Sequence, residues 1–157
     1  MTILPLLMIL PVLAIAAVSD LRQLRIPNVL PIILVSVFAL TSLVAAPPDL
    51  MPRVAVAATA LAIGLLAFAL RLVGGGDVKL LAALMLFIPV GSVLLFANIL
   101  AVSLLFGVAL LLGLRRVLSA RPDGWKGLAR TKKFPMGISI AFAGFAHCAA
   151  LYSLELR

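Results

Sequence analysis

The sequence predicts an all-α fold: a polytopic membrane bundle of six transmembrane helices, forming a single domain over residues 1–157. Three observations carry that prediction. Hydrophobic residues make up 65% of the chain and the mean hydropathy is +1.31. Charged residues contribute 11%, against roughly 25% in a soluble globular domain. Six apolar segments can be marked off, each near the length of about 20 residues that crosses a hydrocarbon core. Together they use most of the chain and leave only short loops.

The first segment runs from Ile3 to Ser19, with Pro5 and Pro11 inside it; membrane helices tolerate proline as a kink. It stops at Asp20-Leu21-Arg22, and Pro27 disfavours helical geometry at Ile26, so a turn follows. The second helix spans Val29 to Ala46 and ends at Pro47-Pro48. The third starts near Val54 and ends at Arg71 to Val73, where three glycines begin. From Val78 to Leu114 the chain is almost unbroken apolar sequence, enough for two crossings with a turn at Pro89 and Gly91. Helix four is placed at Val78 to Ile88, extendable to Leu94, and helix five at Leu94 to Leu114. A polar stretch, Arg115 to Lys133, precedes helix six, Pro135 to Leu154. Pro135 suits a first-turn position because its missing N–H would be unpaired there anyway.

Lys and Arg residues collect on the cytoplasmic side of bacterial membrane proteins. With the loop after helix one inside, that side holds Arg22, Arg25, Arg71, Lys79, Arg115, Arg116, Arg121, Lys126, Arg130, Lys132 and Lys133, and the outer side only Arg53 and Arg157. Both termini are then expected in the periplasm, and the chain in the inner membrane. The same bias explains the net charge of +8 without nucleic acid as a partner. The only Trp and Tyr, Trp125 and Tyr152, do not interleave with basic residues to stack bases. The basic stretch before helix six reads as an anchor touching anionic membrane lipid. Cys148 is the sole cysteine, which excludes an intramolecular disulfide and a Cys-x-x-Cys zinc site. The N-terminus lacks a basic leading region and a small-residue cleavage site, so the first segment is expected to be a retained helix.

Against this apolar background Asp77, behind Gly74-Gly75-Gly76, stands out; an acid at a membrane boundary marks function by default. Four other acids exist: Asp20, Asp49, Asp123 and Glu155. Between Asp20 and Asp77 the chain crosses twice, which returns it to the same face. Asp49 and Glu155 fall on the other. Two carboxylates held close share a proton, so one can deprotonate water while the other protonates a carbonyl oxygen. Helix ends suggest Asp77 as the ionised member and Asp20 as the protonated one. The glycines can take positive φ and let an extended substrate strand approach. His147 and Cys148 lie about twelve residues into helix six, roughly 18 Å from its inner end, and read as packing residues.

Gly74-Gly75-Gly76-Asp77 fits the Gly-x-Gly-Asp signature of membrane aspartyl proteases, and Asp77-Val78-Lys79 resembles the Asp-x-Lys extension of type IV prepilin peptidases. Asp20-Leu21-Arg22 leading to Ile26-Pro27-Asn28 is similar to that family's first-aspartate segment, and Pro135-Met136-Gly137 to its late Pro-x-Gly element. The resemblance is nearest to the short, Flp (tight-adherence) type. Paired Cys-x-x-Cys motifs of the bifunctional members are missing, so methyltransferase activity is not expected. The resemblance implies an aspartyl endopeptidase that removes the leader of a prepilin or pseudopilin at the cytoplasmic face. Asp20 and Asp77 are then catalytic, with Gly74, Gly76, Lys79, Arg22, Pro27 and Asn28 in support, and neither metal nor organic cofactor. The competing expectation is a small transporter or channel that uses the paired acids for a cation or protons; a third is a pilus-assembly scaffold without catalysis.

Overall fold

The computed structural model describes residues 3–117 and 135–155. The basic stretch 118–134, with Asp123 and Trp125, lies outside the described residues, as do Arg157 and the side chains of 114–117 and Glu155. The elements are α1 (Ile3–Gln23), α2 (Val29–Val44), α3 (Leu50–Ala69), α4 (Gly75–Met85), α5 (Val93–Val117) and α6 (Met136–Glu155). A 3-10 turn, Val90–Ser92, joins α4 to α5, and among the described residues there is no strand. The all-α expectation holds.

Among the described residues four stretches are long and apolar enough to cross a membrane: Leu4–Gln23, Leu50–Ala69, Val90–Gly113 and Met136–Leu154. The other two helices are short: α2 ends two residues before the expected Ala46, and α4 has the eleven residues expected of Val78–Ile88 but lies three residues earlier. α2 has 16 residues and α4 has 11; at 1.5 Å per residue α4 is about 16 Å long, against roughly 30 Å of hydrocarbon. α4 stops at Met85 instead of Ile88. Pro89 disfavours helix at the residue before it, and the chain tightens into i→i+3 bonds, Phe87 N–H to Leu84 O (3.0 Å) and Ile88 N–H to Met85 O (3.2 Å). α1, by contrast, runs through Asp20 to Gln23, four residues past the expected stop at Ser19.

α1 and α6 pack antiparallel along a seam. Leu6, Ile9, Leu13, Ala16 and Asp20 are all buried, and their alternating three- and four-residue spacing keeps one face toward the partner. Small residues on α6 receive them. A Cβ on Gly144 would stand 2.6 Å from Leu13 Cδ1, and one on Gly137 would stand 2.9 Å from Asp20 Oδ2. α3 and α4 pair equally closely, since a Cβ on Gly64 would lie 2.5 Å from Val78 Cγ1.

These seams divide the bundle into two halves. α1, α6 and α5 form one; α3, α4 and α2 form the other, joined to the first through α1–α2 and α4–α6 contacts. Among the described residues no Cα of α1 comes within 8 Å of one in α4. At the end away from Asp20 the second half is latched by a buried arginine. Arg53 donates from Nε to Asp49 Oδ1 (2.7 Å) and from Nη1 to Phe87 O (3.3 Å), while Val90 N–H donates to Asp49 Oδ2 (3.0 Å). Desolvation pushes the Asp49 carboxyl up, but the Val90 and Arg53 hydrogen bonds outweigh it and hold Asp49 below the usual carboxylate range. His147 is fully buried, its Nε2 3.2 Å from Ser92 Oγ and its ring edge-on to Phe96, which agrees with a packing role.

Candidate active site

Two helix endings shape a cleft at the Asp20 end of the bundle. α1 closes with Leu24 N–H on Asp20 O (2.8 Å), and Leu24 takes the left-handed conformation, φ 53°. α3 closes with Leu72 N–H on Ala67 O and Arg71 N–H on Phe68 O (both 2.9 Å), with Arg71 at φ 59°. Glycine normally fills both positions; a residue with a Cβ costs about 1–2 kcal/mol there. Leu24 and Arg71 both line the same cleft, of about 870 Å³. Asp20, Asp77, Phe68, Leu72 and Met136 line it too.

Asp20 is 4% exposed and continues the buried seam of α1. Its Oδ2 accepts the Gly137 N–H at 2.7 Å. That amide belongs to the first turn of α6, where backbone N–H groups lack intrahelical partners and a negative charge is favoured. A charge-assisted bond of this kind is about twice as strong as a neutral one. A side chain on Gly137 would displace Asp20, so this position takes glycine for room.

Asp77 is the third residue of α4, after Gly75 and Gly76, with Gly74 as the extended N-cap (φ −78°, ψ 141°). Its carboxylate turns back toward Gly74, where a Cβ would stand 2.5 Å from Oδ2, so the Gly74 N–H favours its charged form. Oδ1 is buried without a hydrogen-bond partner. Asp77 lies outside the four spanning stretches. Desolvation first, and the nearby Asp20 charge second, push its carboxyl up to about 7, despite the Gly74 N–H and its own. The helix-end expectation took Asp77 as the ionised member; burial and the Asp20 charge instead favour its proton, while Asp20 holds a helix-start amide through α6.

A model of the type IV leader peptidase family matches residues 7–116, well over half of the chain. The chain belongs to the type IV leader peptidase family. The matched range contains both acids and ends before α6, so Gly137 lies beyond it. Neither the curated proteins nor the solved structures contain a match to this chain.

The remaining sequence-predicted residues surround the acids differently. None of Gly74, Gly75 and Gly76 has a positive φ, and two of them lie inside α4. They are glycine for closeness: Gly74 under the Asp77 carboxylate, Gly75 against Phe68, Gly76 against Ile26. Lys79 and Asn28 face away from the cleft and bind each other, Nζ to Oδ1 at 3.0 Å. Pro27 is exposed and accepts Leu30 N–H (3.1 Å) in the turn that starts α2. Arg22 is exposed in the last turn of α1. Among the described residues no group of three or more His, Cys, Asp or Glu is placed to hold a metal ion. Sequence reasoning missed Leu24, Arg71, Phe68 and the Gly137 amide as parts of the cleft. The regular spacing from Leu6 to Asp20 was a usable signal for the burial of Asp20.

Proposed function

We propose that this leader peptidase is an aspartyl endopeptidase that cleaves Flp-type prepilins or pseudopilins at the cytoplasmic face, with Asp20 and Asp77 as its catalytic pair. One observation carries the reading: the two acids, from separate halves of the bundle, line one cleft, with a donor fixed on one and a bare oxygen on the other. Ionised Asp20 takes a proton from water as the water oxygen bonds to the scissile carbonyl carbon. Asp77 gives its proton to the carbonyl oxygen, forming a gem-diol. Collapse returns a gem-diol proton to Asp77, passes the Asp20 proton to the leaving amine nitrogen and breaks the C–N bond. Both acids regain their starting states, and no cofactor is consumed.

Arg22, Arg25, Arg71 and Lys79 lie around this end of the bundle, and Arg53 is at the other, which supports a cytoplasmic cleft. The six-crossing topology with periplasmic termini is part of the proposal, with α2 and α4 as short crossings inside the bundle. The reading is tested by co-expression with an Flp-type prepilin. Wild type should remove the leader on a gel, and Asp20→Asn and Asp77→Asn should each leave it on. Normal processing by either variant overturns the dyad.

A further inference from the structure

The two acids belong to helices that do not approach each other, so something else must set their separation. The turn between α1 and α2 reaches both halves beside the cleft. Its Ile26 is buried. On one side the Ile26 Cβ and carbonyl oxygen lie 3.0 and 3.2 Å from where a Cβ on Gly76 would stand, one residue before Asp77. On the other, Ile26 Cδ1 lies 3.1 Å from where a Cβ on Gly137 would stand, and Gly137 holds Asp20. The turn is fastened to both halves: Ser19 Oγ donates to Arg25 O (2.9 Å), and Lys79 Nζ donates to Asn28 Oδ1 (3.0 Å).

We propose that Ile26 is a positioning residue, a wedge between Gly76 and Gly137 that fixes the gap between the two aspartates. The proposal rests on the dyad reading given above. It gives the bare glycines a common purpose, since both flank one side chain whose width sets how far α4 stands from α6. It also gives Lys79 and Asn28 a role at a distance from the cleft, as the tie that keeps the wedge seated.

The wedge predicts a graded response. Ile26→Val removes only Cδ1, the atom against Gly137; Ile26→Ala leaves little but the contact with Gly76. Leader cleavage per folded molecule should fall about threefold in the first and at least tenfold in the second, with KM within twofold of wild type. The pH profile should move as well. The charged groups lining the cleft with Asp77 are Asp20 from α1 and Arg71 from the α3–α4 turn, while α6 presents Met136 and the Gly137 amide. A smaller side chain lets α4 and α6 close in and strengthens the repulsion from Asp20, so the alkaline limb should shift to higher pH in Ile26→Ala.

A role in folding alone would lower the yield of folded enzyme and leave kcat and the alkaline limb unchanged, and that result overturns the proposal. A second readout does not depend on activity. Nitroxide labels on Gln23→Cys and Leu72→Cys, in a Cys148→Ala background, report the distance between the halves by pulsed electron resonance. Ile26→Ala should broaden or shift the distance distribution; a wild-type distribution overturns the wedge. If the wild-type chain cleaves no prepilin, the peptidase reading fails, while the distance measurement still judges the wedge on its own.

Discussion

Gly74→Ala is a small change with a large expected consequence. The N-cap residue lies at φ −78° and ψ 141°, an extended conformation open to any residue, so alanine introduces no backbone strain. Replacing glycine under such conditions stabilises a fold by about 0.4–1 kcal/mol through the unfolded chain. The added Cβ would nevertheless stand 2.5 Å from Asp77 Oδ2, and ordinary contact begins at 3.4 Å. The carboxylate must retreat by about 0.9 Å, the difference between those distances. Misplacing a reacting group by about 1 Å costs on the order of 100-fold in rate, or about 2.7 kcal/mol at 1.36 kcal/mol per tenfold. Purified Gly74→Ala should thus keep wild-type thermal stability in detergent and cleave a prepilin about 100-fold more slowly. Gly91→Ala is the control, because nothing lies within 4 Å of its new Cβ, and it should cleave at the wild-type rate. A Gly74→Ala enzyme within twofold of wild type would refute the placement of the Asp77 carboxylate over Gly74.

Two further outcomes are expected. Because burial and the Asp20 charge raise Asp77 to about 7, its proton is present below that pH and lost above it, so cleavage should fall as pH rises through about 7. Asp20→Asn removes the repulsion and leaves the desolvation, so an infrared titration of the Asp77 carboxyl should move to lower pH in that variant; an unchanged titration would show that Asp20 does not act on it. At the opposite end, Arg53→Ala strips a charged donor from Asp49 and from Phe87 O. Hydrogen bonds to charged groups are worth about 1.5–3 kcal/mol each, so unfolding in detergent should come earlier by about that energy, while the rate per folded molecule stays near wild type.

Much of the fold could be read from apolar length, and the points that escaped it share physical causes. Helix ends were misplaced where the left-handed closing residue is Leu24 or Arg71, because a side chain there hides the stop that glycine would announce. The end of α4 at Met85 was concealed because Leu86, Phe87 and Ile88 continue the apolar run after the helix has ended. Tertiary burial demands oily residues there whether or not the backbone is helical. For the site, counting crossings was enough to bring Asp20 and Asp77 to one end of the bundle. The Gly137 amide that favours charge on Asp20 was not legible, because it lies 117 residues away in sequence. The glycine run pointed to the right place for a different reason, since each glycine makes room for a neighbour and none supplies a positive φ. Arg53, counted only as an outer charge, is the centre of a buried latch with Asp49.

The central claim is that two acids on separate halves of the bundle work as one catalytic unit. Its most direct test is a double-mutant cycle on prepilin cleavage with Asp20→Asn, Asp77→Asn and the double variant, each normalised to folded protein. Groups that act together lose nearly everything when either is removed, so all three variants should share one residual rate. Substantial cleavage by either single variant, or losses that add in the double, would contradict the account.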